Sequence, residues 1–183
     1  MPASETLTVT IPILETDRLR LRPHRLDDFP NCSAMWAHPI VTQFIGGKPL
    51  TEEESWVRLL RYVGHWLLLG FGYWVVEEKA TGNFLGEVGS AENQRDIDPS
   101  LKGTLETGWV VASHAHGKGF ATEAVRAALA WSDQHFPAKK TTCIIDAPNL
   151  ASFRVADKCG YREFSRASYK GASVVLFSRE PCA

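Results

Sequence analysis

The sequence lacks an excess of either charge. Twenty lysines and arginines stand against 21 aspartates and glutamates, which gives a formal net charge of -1, and the basic residues do not form a stripe. Because proteins that mainly bind nucleic acid usually carry a basic surface, we expect no nucleic-acid partner.

Long apolar runs are also absent. The most apolar stretch, WLLLGFGYWVV, is shorter than the roughly 20 residues that a membrane-spanning helix needs. The first residues, MPASETLTVTIPILETDRL, lack the basic and apolar regions of a signal peptide. We therefore expect no membrane partner and a cytoplasmic location.

Cysteine is scarce. The four cysteines, Cys32, Cys143, Cys159 and Cys182, include no Cys-x-x-Cys pair, so the sequence predicts neither a zinc cage nor a disulfide framework. We expect structural thiols and no bound metal. Internal repeats and long linkers are absent too, and 44% of the 183 residues are hydrophobic, which suffices for one sizeable core. The predicted organisation is a single domain over residues 1–183, in which residues 1–13 could be flexible.

Short local patterns predict an α/β protein with a mixed sheet. RLRLRP alternates apolar and basic residues as a half-exposed strand does, and a helix is predicted after Pro23. Thr51 and Glu54 form a capping box that begins a second helix, which ends near Gly70. Further strands are predicted within GYWVVEEKATGNFLGEVGSAE on either side of a turn at Thr81–Asn83, and in TLETGWVVA, TTCIIDA, YREFSRASY and ASVVLFSRE. A hairpin loop is predicted at Glu92–Gly103, and helices before Pro137 and before Gly160.

One stretch, HAHGKGFATEAVRAALAW, places two glycines and a lysine at the start of an amphipathic helix. Free N–H groups and the helix dipole surround one point there, which favours an anion. Gly117 and Gly119 would let a phosphate approach the main chain without meeting a β-carbon. A plain strand-to-helix turn is the alternative.

Two common phosphate-binding loops fit this sequence poorly. Thr122 stands where a dinucleotide-binding fingerprint has Gly or Ala. The string GGKPLT has Pro49 where a Walker loop has Ser or Thr, and no strand is predicted before it. A Rossmann site and a P-loop are therefore both disfavoured.

Two motifs resemble those of the GNAT N-acetyltransferase superfamily. Gly117 and Gly119 match the glycines of the family's pyrophosphate loop. NLASFRVADKCGY is similar to its second signature, with matches at Asn149, Ser152, Arg154, Val155, Lys158 and Gly160. The start, LETDRLRLRP, resembles the branch of the ribosomal-protein alanine N-acetyltransferases, and the resemblance runs from Leu14 to about Arg179.

One position departs from the family pattern. His114 stands where the superfamily usually has Arg or Gln, and His116 precedes the first glycine. The two histidines could form a metal pair, but catalytic zinc normally takes three protein ligands. We expect two loop histidines beside phosphate.

The resemblance implies a GNAT fold. Its mixed central sheet has about six to seven strands, splayed between the fourth and fifth strands, and about four helices flank it. The cofactor implied is acetyl-CoA, with its pantetheine arm in the splay and its pyrophosphate on the glycine loop. The cofactor-binding residues implied are Trp109, Val110, Val111, His116, Gly117, Lys118, Gly119, Phe120, Ala121, Asn149, Ser152, Arg154 and Lys158.

Acetyl transfer needs an unprotonated amine and a proton for the departing thiolate. Glu106, in the strand that carries the implied pantetheine contacts, is the candidate base, with a surface ion pair as its alternative role. Ser152 matches a serine that the resemblance places near the thiolate, and it or water would return the proton. Other branches use a tyrosine where this chain has Ala156, and Tyr161 is expected in the core.

The acceptor is predicted only as a primary amine, for example a peptide or protein N-terminus. Trp36, Phe44 and Trp74 are candidates for the acceptor groove, although aromatic residues are ordinary core material. One alternative is a small-molecule acetyltransferase that acts on an amino acid, a polyamine or an aminoglycoside. Another is a non-catalytic acyl-CoA sensor. A homodimer is also considered, but no residue pattern identifies its surface.

Overall fold

The computed structural model describes residues 9–181. Its strands are β1 (Leu14–Glu15), β2 (Leu19–Arg22), β3 (Tyr73–Glu78), β4 (Phe84–Ala91), β5 (Leu105–Val111), β6 (Thr141–Asp146), β7 (Arg162–Tyr169) and β8 (Ala172–Arg179). They form one sheet in the order β1-β2-β3-β4-β5-β6-β8-β7. Neighbouring strands are antiparallel except β5 and β6, which are parallel.

The helices are α1 (Phe29–Trp36), α2 (Pro39–Thr42), α3 (Glu52–Leu69), α4 (Phe120–His135) and α5 (Leu150–Lys158). Short 3-10 turns occur at Leu26–Asp28 and Ser113–Ala115. The predicted mixed α/β fold is confirmed, with two small additions: the two-residue strand β1 and the four-residue helix α2. None of the helices within residues 9–181 is long and apolar enough to cross a membrane.

The ends of α3 follow the signals predicted from the sequence. The Thr51 hydroxyl accepts the Glu54 N–H at 3.1 Å, and the Glu54 carboxylate accepts the Thr51 N–H at 2.8 Å. Gly70 ends the helix with a φ of 74°, a left-handed conformation that favours glycine. These local bonds fix where α3 begins and where it ends, shortly before β3.

The main core lies between the sheet and α4. Trp66, Trp74 and Trp131 meet edge to face at its centre, with ring centroids 4.8 to 5.4 Å apart. Helix α1 covers the opposite face, where Trp36 packs with Val110. Helix α3 packs against α1, and Trp66 near its C-terminal end reaches the core on the α4 side. Trp36 and Trp74 are therefore core residues, each 1% exposed, and neither lines an acceptor groove.

The chain ends are only partly described. Residues 1–8 of the predicted flexible start, and Cys182, lie outside the described residues. Within residues 9–13, the Pro12 carbonyl accepts the indole N–H of Trp74 at 2.8 Å. The other three cysteines, Cys32, Cys143 and Cys159, are free and buried, as expected of structural thiols.

Candidate active site

A wedge-shaped gap opens between β5 and β6. Their pairing is limited to Leu105 with Thr141 and Glu106 with Thr142, although β5 continues to Val111 along β4. The predicted splay lay between the fourth and fifth strands. Because the prediction did not include the short strand β1, those two strands are β5 and β6, so the gap lies where the splay was predicted.

The β5 main chain presents unpaired groups to this gap. The Leu105 N–H points toward β6 and donates to Lys140 O at 3.0 Å, whereas the Ala112 N–H points toward β4 and donates to Leu85 O at 2.8 Å. Because successive N–H groups of a strand point to opposite sides, those of Trp109 and Val111, beyond the last residue paired with β6, face the gap. An extended ligand can bind there as a missing strand would.

The gap continues into a cleft of about 440 Å³. Its walls come from α2 and the segment after it, from β5, from the glycine loop and from the start of α5. The lining includes twelve of the thirteen predicted cofactor-binding residues: Trp109, Val110, Val111, His116, Gly117, Gly119, Phe120, Ala121, Asn149, Ser152, Arg154 and Lys158. Phe44, a candidate groove residue, also lines it, together with Ile40, Val41 and Ile45.

The glycine loop has the geometry of an anion cradle. Gly117 and Gly119 have φ values of 75° and 81°, and Gly119 immediately precedes α4. The first helical bond runs from the Glu123 N–H to Gly119 O at 3.2 Å. Within residues 9–181, the N–H groups of residues 117–122 have no acceptor. Unpaired N–H groups at a helix start suit a diphosphate, so the loop fits the pyrophosphate of CoA.

An arginine near the start of the chain contacts this loop and stabilises it. Arg18 donates to the Lys118 carbonyl at 3.1 Å, pairs with Glu123 at 2.6 Å and lies over the Phe120 ring at 4.6 Å. Lys118 is exposed and does not line the cleft; its main chain is what Arg18 holds. The role of Arg18 could not be predicted from the sequence, because a strand pattern says nothing about a partner 100 residues away.

The other predicted loop residues contribute in different ways. The His116 ring nitrogen Nε2 bonds Val111 O at 2.8 Å, which ties the loop to β5. Val110 lines the cleft with its side chain, because its main chain faces β4 and pairs with Glu87.

The start of α5 presents two polar side chains to the cleft. Asn149 Oδ1 accepts the Ser152 N–H at 3.1 Å and so caps the helix, while its amide nitrogen has no partner within residues 9–181. The Ser152 hydroxyl is likewise unpaired among the described residues. Ala156, where a tyrosine acid would stand in other branches, is fully buried. The groups at this helix start can therefore serve both as a cap and as ligand contacts.

Glu106 lies at the closed end of the gap and is 6% exposed. Its Oε2 accepts Arg95 Nε at 2.7 Å, and its Oε1 accepts Arg95 Nη2 at 2.6 Å and Asn93 Nδ2 at 2.9 Å. Both partners come from the loop between β4 and β5. The carboxylate is thus held in one place by a two-bond ion pair rather than solvated at the surface.

A second buried carboxylate lies on the same face of the sheet. Glu87 accepts the Trp36 indole N–H at 2.9 Å and lies 3.1 Å from His24 Nε2. His24, Cys32 and Glu87 form the one group of three metal-ligating side chains within residues 9–181, and it does not include His114 or His116. Burial raises the pKa of the Cys32 thiol, which favours a protonated thiol in a hydrogen-bonded cluster.

Comparison with known proteins assigns this chain to a family. Residues 18–162 match the family model described as an acetyltransferase (GNAT) domain. The Bacillus subtilis protein YkkB is 32% identical over 151 residues, which are 80% of this chain and 83% of the relative.

Two solved structures have the same fold. A spermidine N-acetyltransferase from Vibrio cholerae, in complex with CoA and spermine, superposes with a TM-score of 0.72 at 18% identity, over 91% of this chain and 97% of its own. A ribosomal-protein-S5-alanine acetyltransferase from Vibrio fischeri also has a TM-score of 0.72, at 17% identity, over 93% of this chain and 97% of its own.

Proposed function

Because the chain belongs to the GNAT acetyltransferase family and is an acyltransferase that uses acetyl-CoA, we propose that its acceptor is the α-amine of a peptide or protein N-terminus. The observation that carries this proposal is the position of Glu106, which is the last β5 residue paired with β6 and whose carboxylate is held in place by Arg95. The acceptor of the Vibrio fischeri relative, a ribosomal protein, is of the proposed kind, whereas spermidine is a small polyamine.

We propose that two sets of main-chain groups would hold acetyl-CoA. The N–H groups of residues 117–122 would hold its pyrophosphate, and the gap-facing main chain of Trp109 and Val111 would hold its pantetheine arm. When bound, acetyl-CoA supplies the acyl group as a thioester. Ser152 and Asn149, at the start of α5, would contact the other side of the cleft.

Glu106 would receive the proton that the amine must lose. A peptide α-amine has a pKa of about 8, so its deprotonation at pH 7 costs about 1.4 kcal/mol, whereas a lysine amine with a pKa of about 10.4 costs about 4.6 kcal/mol. A single carboxylate that is already paired with Arg95 is better suited to deprotonating the less basic α-amine. We therefore expect α-amines to be preferred over lysine side chains.

The test compares two peptides that differ in which amine is free. One has a free N-terminus and no lysine; the other has a blocked N-terminus and one lysine. CoA release is measured from pH 6 to 10 for the wild type, for Glu106→Gln and for Glu52→Gln, a carboxylate control on the exposed first turn of α3.

We expect transfer to the free N-terminus, a loss in Glu106→Gln that is largest at neutral pH, and wild-type behaviour in Glu52→Gln. Higher pH should partly restore Glu106→Gln because the free substrate then loses its proton unaided. A preference for the blocked lysine peptide, or for spermidine, would overturn the substrate assignment. An unchanged pH profile in Glu106→Gln would remove Glu106 as the base, and CoA binding without any transfer would indicate an acyl-CoA sensor.

A further inference from the structure

Tyr73, the first residue of β3, has a hydroxyl group that no residue within 9–181 satisfies. The same is true of Tyr161, but the Tyr161 hydroxyl is sealed inside the core, where the side chain is 1% exposed. Tyr73 is partly exposed, and its hydroxyl is not enclosed. An unpaired hydroxyl that is not enclosed is available to a ligand, whereas a sealed one is not.

Two glycines leave room for the Tyr73 side chain to lie along one face of the sheet, over β4 and as far as β5. Tyr73 pairs with Gly89 on β4, and Gly89 pairs with Gly108 on β5, so the three residues form one row. A β-carbon at Gly89 would collide with the Gly72 carbonyl and the Tyr73 α-carbon, and one at Gly108 would collide with the Tyr73 hydroxyl oxygen. The hydroxyl therefore lies directly against Gly108.

This position is at the closed end of the gap. Gly108 precedes Trp109, whose N–H faces the gap, and it lies two residues beyond Glu106, the last β5 residue paired with β6. Because alternate residues of a strand share a face, Glu106 and Gly108 lie on the same side of β5. The Tyr73 hydroxyl and the Glu106 carboxylate are thus neighbours on one face of the sheet.

The Tyr73 ring is held firmly in this position. It stacks on the Tyr62 ring with centroids 4.3 Å apart and planes 14° from parallel. Burial, and next the charge of Glu106, raise the pKa of the Tyr73 phenol, so the hydroxyl keeps its proton at neutral pH.

Building on the proposed function, we propose that Tyr73 is a catalytic residue whose hydroxyl oxygen accepts a hydrogen bond from the acceptor amine beside Gly108. This contact orients the amine at the end of the gap, next to Glu106. Tyr73 forms no covalent bond and gives up no proton; the proton that leaves the amine goes to Glu106.

Two conservative variants test this role. Tyr73→Phe removes the hydroxyl and keeps the ring that stacks on Tyr62, and Tyr161→Phe is the matched control because it removes a hydroxyl sealed in the core. Calorimetry measures the binding of CoA, and then of an alanyl peptide with a free N-terminus to the CoA complex. Thermal unfolding and acetyl-transfer kinetics are measured on the same proteins.

We expect Tyr73→Phe to raise the peptide Kd and to lower kcat/KM, each by about tenfold, the value of one hydrogen bond. Its CoA affinity and Tm should match those of Tyr161→Phe, which should transfer acetyl groups like the wild type. Wild-type peptide binding and kcat/KM in Tyr73→Phe would overturn the inference. A parallel loss of CoA affinity and Tm would also overturn it, because it would indicate a structural role.

The two proposals can fail separately. A wild-type protein that acetylates spermidine but no peptide overturns the peptide assignment, and a tenfold loss with spermidine in Tyr73→Phe would still support the Tyr73 contact. A wild-type protein that transfers to neither amine overturns both.

Discussion

The anion cradle makes a quantitative prediction for Gly119→Ala. Gly119 has a φ of 81°, and an alanine in this left-handed conformation costs roughly 1 kcal/mol. A β-carbon at Gly119 would meet only the Arg18 side chain, at 3.6 Å, so the protein itself tolerates it. The unliganded variant should therefore lose about 2–4 °C in Tm for a chain of this size.

The larger effect of Gly119→Ala should be on the affinity for CoA. At a CoA concentration of about 100 times the Kd, binding should stabilise the wild type by about 2.7 kcal/mol. The new methyl group at Gly119 would stand where the phosphate approaches the N–H groups, and a tenfold weaker Kd would reduce this gain to about 1.4 kcal/mol at the same concentration. Thermal unfolding with and without CoA measures both values, and calorimetry measures the Kd directly.

Gly70→Ala is the matched control for this experiment. Gly70 has a φ of 74°, stands at the end of α3, and a β-carbon there meets nothing within 4 Å. It should lose as much stability as Gly119→Ala without CoA, yet keep the full gain with CoA. Equal CoA-induced shifts in the two variants would refute the cradle.

Two further predictions concern single side chains. Ser152→Ala should lower kcat more than it weakens CoA binding, because its unpaired hydroxyl lines the cleft; unchanged steady-state kinetics would leave water as the proton source. Asp28→Asn should destabilise the protein by about 3 kcal/mol at pH 7, since it breaks a buried two-bond pair with Arg22 at 2.7 and 2.8 Å. Although burial alone would raise the pKa of Asp28, the Arg22 bonds hold it below its usual value. That stability is present above the unfolded pKa and is lost as the pH falls through the folded pKa, so denaturant curves of wild type and variant should converge as the pH falls through the folded pKa of Asp28; a difference independent of pH would contradict this.

The elements that local chemistry determines were predictable. The Thr51–Glu54 capping box, the Gly70 helix end and the glycine loop each depend on residues within a few positions of one another, and each occurs where the sequence predicts it. The gap between β5 and β6 was predicted from the family resemblance, because no local pattern marks where two strands separate.

Contacts between distant segments were not predictable. Tyr73 reaches β5 only because Gly89 and Gly108 fall in its row, and that register depends on strand pairing rather than on spacing along the chain. Arg18 braces the Lys118 carbonyl across 100 residues. Each residue alone has an ordinary local explanation, as a strand tyrosine, a strand glycine or an exposed arginine.

Glu106 shows how such a contact changes a chemical interpretation. The sequence offered two separate roles, a catalytic base and an ion-pair partner, and the residue proposed as the base is found in an ion pair with Arg95. Asn93 and Arg95 take three of the roughly four lone-pair positions of the carboxylate, which leaves one position, on Oε2. A carboxylate so held cannot turn toward an incoming amine, but its remaining lone pair has a fixed direction. If Glu106 is the base, as proposed, we expect proton transfer through a water molecule at Oε2, since the ion pair and the proton transfer then use different lone pairs of the same carboxylate.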